Sequence, residues 1–310
     1  MRVVFFGTPE FAVPSLEALL GEGFDVAAVV TQPDRPQGRS RHRLEPSPVK
    51  RAATAEDVPV LQPERPSDPA FVAEVRALAP DIGVVVAYGH ILKPELLAVP
   101  RAGMVNVHPS LLPELRGAAP IPWAIMSGLT RSGVSIMQLD SGMDSGPILR
   151  QLAEPLPSDV TGGELSGHYA ELGAEALVET LLLIDQGAVE PEPQDARRAT
   201  YAPKITRATA RIDWTESADR VAQRLRALDP DPGAWTELDG RVVKLFGATS
   251  GGSAPSDARP GDIVGAGEDL AIASGLGVVR VGEVQPAGKA RMPVAAWVRG
   301  RGVRVAQHFA

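Results

Sequence analysis

Two polar residues interrupt an apolar run in Val105-Asn106-Val107-His108-Pro109-Ser110. Positions two apart on a strand face the same side, so Asn106 and His108 project together while Val105 and Val107 face the other way. That pair suits chemistry at a carbonyl carbon. A histidine exchanges protons near neutral pH, and an asparagine amide can donate to a developing oxyanion. A lone histidine at a strand end can equally be structural. Downstream, Leu139-Asp140-Ser141-Gly142-Met143-Asp144-Ser145-Gly146-Pro147 places two carboxylates in a glycine-rich turn. Aspartates in such turns commonly bond their own backbone. One that reached His108 would raise the histidine's pKa and orient its ring. A metal site is not expected, because the chain has five histidines, no cysteine and no H-x-x-x-H spacing. The lack of cysteine also removes thiol nucleophiles and disulfides.

Such residues need a strand end to stand on. Residues 3–6, 26–31, 81–86 and 104–108 are short apolar, β-branched runs of the kind that buried parallel strands show. Helical stretches over 14–20, 47–55 and 67–78 separate them, with Ser47 and Ser67 at cap positions. The alternation predicts an α/β fold, an open Rossmann-like and mostly parallel sheet that binds ligands outside the carboxyl ends of its strands. Helical periodicity continues over 163–186. Three prolines and no periodicity then mark a linker. Beyond it, one helix over 216–228 precedes short strand-like segments at 242–246, 262–264, 270–273 and 278–284. This predicts a second, smaller, β-barrel-like C-terminal domain. The expected division is a catalytic domain over 1–187, a linker over 188–204 and a β-rich domain over 205–310.

Charge follows the same division. Residues 1–201 hold 16 Lys and Arg against 26 Asp and Glu, whereas residues 202–310 hold 15 against 12. A C-terminal part of charge +3 in a chain of net charge −7 suits an acidic partner such as nucleic acid, the bland alternative being compositional fluctuation. Residues 32–46 form a long connection without periodicity that carries Arg35, Arg39, Arg41, His42 and Arg43. It is either a phosphate grip or a solvated loop. A second basic run, Lys289, Arg291, Arg299, Arg301 and Arg304, has no intervening acid. The first turn, Gly7-Thr8-Pro9-Glu10, lacks the further glycines of a dinucleotide site, and no G-x-x-x-x-G-K-[ST] occurs. Neither a leader peptide nor a membrane span is discernible, so a cytoplasmic location is expected.

The stretches Asn106-Val107-His108-Pro109-Ser110-Leu111-Leu112-Pro113 and Asp144-Ser145-Gly146-Pro147 resemble the signature and the catalytic aspartate turn of the folate-dependent formyltransferases. Those features are shared by purine transformylases, 10-formyltetrahydrofolate hydrolases and sugar-nucleotide formyltransferases, so they point to chemistry rather than acceptor. Other stretches resemble the methionyl-tRNA formyltransferase family in particular. These are Phe6-Gly7-Thr8-Pro9-Glu10-Phe11, Thr31 to Pro36, Pro46 to Lys50, Arg116-Gly117-Ala118-Ala119-Pro120-Ile121, Ala210-Arg211-Ile212-Asp213-Trp214 and Gln285 to Lys289. Pro109 stands where that family often carries glycine.

The resemblance implies transfer of a formyl group from 10-formyltetrahydrofolate, a co-substrate, to the α-amine of methionine on initiator methionyl-tRNA, for translation initiation. It implies Asn106, His108 and Asp144 as catalytic residues, with Asp144 keeping His108 charged and oriented. It implies folate contacts at Tyr88, Gly89, His90, Ile91, Leu92, Ser110, Leu111, Leu112 and Pro113. For tRNA it implies Arg35, Arg39, Arg41 and Arg43, with Lys289, Arg291, Arg301 and Arg304 in the C-terminal domain. No metal and no membrane partner are expected. The rival readings are a hydrolase or a sugar-nucleotide formyltransferase of the same superfamily, and a non-catalytic RNA-binding module.

Overall fold

The computed structural model describes residues 1–36 and 44–310. The chain divides into two compact units, one of residues 1–117, 132–154 and 166–201, the other of 118–131, 155–165 and 202–310.

The larger sheet contains β1 (Arg2–Gly7), β2 (Asp25–Val30), β5 (Val60–Leu61), β6 (Ile82–Val86), β7 (Met104–His108), β8 (Arg131–Gln138) and β9 (Ile148–Pro155). A two-residue ladder, β3 (Arg35–Pro36) with β4 (Leu44–Glu45), stands within the 32–46 connection, which sequence marks as structureless. Strand order is β5-β2-β1-β6-β7-β8-β9. Pairing is parallel from β5 to β7 and antiparallel between β7 and β8. The central strands are buried on both faces, as their unbroken apolar runs require. On one face α3 (Pro69–Ala77) packs Phe71, Val72 and Val75 with Val4, Phe6 and Val85. On the other, α6 (Gly162–Asp185) comes close enough that a Cβ on Gly173 would lie 2.7 Å from the Val107 side chain.

Caps set the helix starts. α1 (Val13–Gly21) begins with Pro14 in its first turn, and the Ser47 hydroxyl accepts from Lys50 N at 3.0 Å to open α2 (Pro48–Ala55). The cap of α3 is Asp68 rather than the expected Ser67, with Oδ1 accepting from Ala70 N at 2.9 Å. Pro69 fixes the first helical φ, so the residue before it takes the cap position. Asp68→Ala is expected to cost about 1 kcal/mol of stability in denaturant unfolding, and Ser67→Ala much less. Equal losses would contradict the assignment. Short helices α4 (Pro94–Leu97) and α5 (Pro120–Met126) complete the elements before α6.

The second unit holds an antiparallel sheet of β10 (Ala234–Leu238), β11 (Arg241–Ser250), β12 (Ile263–Ala266), β13 (Leu270–Ala273) and β14 (Val278–Pro286), in the order β10-β11-β14-β13-β12, with β15 (Met292–Pro293) paired to β14. The last residues of the chain close it. Phe309 bridges Leu238 at the β10 edge, and His308 bridges Asp262 beside β12. Both edges are thereby paired, which makes the sheet a small barrel. Inside, Trp214 stacks on Phe309 at 5.8 Å and donates through Nε1 to Thr236. α7 (Ala218–Ala227) lays Val221, Ala222 and Leu225 on β11 and β14, and α8 (Val294–Arg299) packs beside β14.

Candidate active site

The carboxyl ends of β1, β2, β6 and β7 lie on one edge of the sheet, because these strands are parallel. β7 ends in His108. Val107 faces α6, so strand alternation turns Asn106 and His108 to the opposite face. Asn106 is half-buried, and its amide makes no hydrogen bond among the described residues. It is a donor without a partner at the strand end.

His108 is only 4% exposed. Its Nε2 lies 3.0 Å from the Leu115 carbonyl, which can only accept, so Nε2 carries a hydrogen. The free nitrogen, Nδ1, is 3.8 Å from Asp144 Oδ2. Burial pushes the His108 pKa below the ordinary imidazole value, although the Asp144 charge and the Leu115 carbonyl pull it upward. Desolvation is the largest of these influences, so the direction runs against the expectation that Asp144 keeps His108 charged, and it favours a neutral ring whose Nδ1 faces the Asp144 carboxylate.

The two aspartates of the turn have different work. Asp140 accepts from Gly142 N at 2.9 Å and from the Ser145 hydroxyl at 3.0 Å, which shapes its own turn. Asp144 faces away from that turn, and its Oδ2 accepts from Gly117 N at 2.8 Å. Gly146 follows where any Cβ would collide with the Gln138 carbonyl oxygen. Two residues that sequence reasoning missed complete the arrangement. Gln194 donates through Nε2 to the carbonyls of Asp144 and Gly146, and the Thr200 hydroxyl accepts from Leu115 N. Both lie in the stretch read as a linker, and no spacing in the sequence pairs them with residues about fifty to eighty-five positions away.

The residues expected around the folate fall into two kinds. The Tyr88 ring is buried against Phe6 in the core, and burial pushes its hydroxyl up to about 12. It is the Tyr88 carbonyl that stands at the strand ends, accepting from Thr8 Oγ1 and Gln32 Nε2. Gly89 and Ile91 are exposed, while His90 and Leu92 are half-buried. In the second stretch Ser110, Leu112 and Pro113 are buried and Leu111 is half-buried. The Ser110 hydroxyl donates to the Glu114 carbonyl at 2.6 Å, and the Ser135 hydroxyl donates to the Ser110 carbonyl at 2.6 Å. These residues hold the loop that presents Leu115 to His108. Among the described residues no cluster of three His, Cys, Asp or Glu is placed to hold a metal ion.

Residues 1–181 match the Formyl transferase family, and residues 204–302 match Formyl transferase, C-terminal domain. The chain is 47% identical over 301 residues to a methionyl-tRNA formyltransferase of Roseiflexus sp. (strain RS-1), covering 97% of this chain and 92% of that protein. The chain belongs to the methionyl-tRNA formyltransferase family. A member from Thermobifida fusca (strain YX) is 44% identical, over 100% of this chain and 99% of that one. HypX from Aquifex aeolicus, solved in complex with tetrahydrofolic acid, has the same fold at 20% identity and a TM-score of 0.66. The match covers 97% of this chain, which spans about half of HypX (47%).

The basic residues of this methionyl-tRNA formyltransferase family member are placed unevenly. Arg35 is exposed and donates to Gln32 Oε1 at 2.7 Å, whereas Arg39, Arg41 and Arg43 lie outside the described residues. Lys289, Arg301 and Arg304 are exposed on the second unit. Arg291 has another role: it pairs with Asp229 and Glu283 and lies 4.1 Å over the Phe246 ring. Its guanidinium is thus engaged by two carboxylates while a third of the side chain stays exposed. Sequence reasoning also missed Arg207 and Arg211, whose guanidinium groups lie 4.6 and 5.5 Å from the Trp235 ring. β10, which carries Trp235, follows a proline- and glycine-rich stretch that hides it from pattern reading. No helix among the described residues is long and apolar enough to cross a membrane.

Proposed function

We infer that the chain transfers the formyl group of 10-formyltetrahydrofolate to the α-amine of methionine on initiator methionyl-tRNA, for translation initiation. The observation that carries this is the likeness to methionyl-tRNA formyltransferases along both lengths, C-terminal domain included. A hydrolase or sugar-nucleotide formyltransferase would share the catalytic end of β7 without needing a basic second unit. A non-catalytic RNA-binding module would need neither Asn106 nor the His108–Asp144 pair. Translation enzymes work in the cytoplasm, and that is the location we propose.

Asn106, His108 and Asp144 are the catalytic residues. The neutral amine of methionine attacks the formyl carbon. Asn106 donates to the oxyanion, an interaction worth roughly 3–4 kcal/mol when it forms only in the transition state. Nδ1 of His108 takes the proton from the attacking nitrogen, and the Asp144 carboxylate stabilises the imidazolium that forms. The same proton passes to the folate nitrogen as its bond to the formyl carbon breaks, releasing tetrahydrofolate and formylated methionyl-tRNA. The folate ring is held along Gly89–Leu92 and Ser110–Pro113, with the Tyr88 carbonyl in place of its ring.

RNA binding belongs to Arg35 with Arg39, Arg41 and Arg43, and on the second unit to Lys289, Arg301 and Arg304. Arg207 and Arg211 against Trp235 add a pairing of cation and ring that suits unpaired nucleotides. Phosphate contacts release counterions, so tRNA affinity should fall steeply with salt while folate affinity changes little. Replacing Arg301 and Arg304 together by alanine should reduce the salt slope by about 2. An unchanged slope would remove both from the interface. The function itself is tested by following label from 10-formyltetrahydrofolate into initiator methionyl-tRNA, with water and an amino-sugar nucleotide as competing acceptors. Label on the tRNA is expected; release as formate alone would favour the hydrolase.

A further inference from the structure

Residues 188–201 bond to both loops that surround His108. Glu192 exchanges two backbone hydrogen bonds of 2.8 Å with Ile148. Gln194 then makes four contacts with one carboxamide. Nε2 donates to the carbonyls of Asp144 (3.0 Å) and Gly146 (2.7 Å), and Oε1 accepts from Nε (3.1 Å) and Nη2 (2.6 Å) of the buried Arg116. Arg116 precedes Gly117, whose N–H holds the Asp144 carboxylate. Thr200 steadies the same loop from its other side, accepting from Leu115 N and, through its carbonyl, from Arg116 N.

The turn needs an outside hold. Asp144 sits at φ +48°, in the left-handed region that residues with a Cβ seldom adopt. Asp140 organises the inner part of the turn through Gly142 and Ser145, but it reaches neither the carbonyl nor the carboxylate of Asp144. Among the described residues Gln194 is the side chain that donates to the Asp144 carbonyl.

We propose that Gln194 is a positioning residue for the transfer reaction, its carboxamide clasping the Asp144 turn to the Arg116 loop so that the carboxylate stays beside His108. The inference rests on the assignment of His108 and Asp144 as catalytic residues, and it gives residues 188–201, which the sequence marks as a linker, a part in catalysis. Misplacing a catalytic group by about 1 Å can cost roughly 100-fold in rate, so loss of the clasp is expected to lower kcat by about 10–100-fold.

Two variants separate the clasp from the fold. Gln194→Glu keeps oxygens for Arg116 and loses both donors to the turn, whereas Gln194→Met keeps the length and loses all four bonds. Both are compared with Arg197→Ala, an exposed residue bonded to Asp195, whose activity should match the unaltered protein. The expected result is folded Gln194 variants with lowered kcat and unchanged KM for 10-formyltetrahydrofolate. In Gln194→Met the His108 imidazole, followed by ¹⁵N NMR, should titrate lower still, because the attraction of Asp144 weakens. Normal kcat with an unaltered His108 titration in either folded variant overturns the proposal. So does failure of both variants to fold, which would make Gln194 a requirement of the structure alone. An active His108→Ala protein would instead remove the catalytic assignment beneath it, so the two failures are distinguishable.

Discussion

His108→Ala is expected to lower kcat by roughly 10²–10⁴-fold, the range for a positioned acid-base group, while 10-formyltetrahydrofolate binds about as well as before. The imidazole is almost entirely enclosed, and its Nε2 is committed to the Leu115 carbonyl. Only Nδ1 remains to handle a proton, so no other atom of the ring can substitute when it is lost. His108→Gln is a useful companion because it preserves most of the volume. A deficit shared by both variants is chemical, whereas one confined to alanine reflects a cavity in the core. Single-turnover transfer with both substrates prebound separates the chemical step from binding. Near-normal single-turnover rates in either variant would remove His108 from the reaction.

The second large effect is expected at Asp144. Asp144→Asn retains an oxygen that can accept from Gly117 N, so the turn keeps its hold while the charge disappears. We expect kcat to fall by at least about 100-fold, because the imidazolium formed during transfer loses the carboxylate that stabilises it. The sign of the accompanying pH effect follows from geometry. Asp144 raises the His108 pKa against the depression caused by burial. Removing its charge must lower that pKa further, so any limb of the pH–rate profile that belongs to His108 moves toward acid. Asp140→Asn keeps the acceptor that bonds Gly142 and Ser145 and should leave kcat nearly unchanged. If Asp140→Asn proves the more damaging, the two roles are reversed.

How legible the site is in the sequence depends on what kind of contact each residue makes. Asn106 and His108 show themselves through strand alternation, a rule that acts between near neighbours. Asp144 separates from Asp140 by resemblance alone, since both occupy a turn where aspartate is ordinary. Gln194 and Thr200 leave no local trace, because their importance lies in partners brought close by the fold. Arg291 reads as an unpaired surface cation until Asp229, 62 positions earlier, is seen beside it. Tyr88 is placed at the folate by resemblance alone, and its ring packs against Phe6. The parallel strands are legible because burial on both faces imposes unbroken apolar runs. The barrel's closure is not: it depends on Phe309 meeting Leu238, a pairing of distant edges that no periodicity announces.

The protonation of His108 is central, for a neutral ring with Nδ1 open can take the proton of the attacking amine and a charged one cannot. A ¹⁵N NMR titration of the unaltered protein reads it directly, by reporting which ring nitrogen carries hydrogen at each pH. Nε2 is expected to be protonated throughout, with Nδ1 bare at pH 7 and titrating below the ordinary 6.5. Nδ1 carrying a proton at pH 7, with a midpoint above 6.5, would contradict the account.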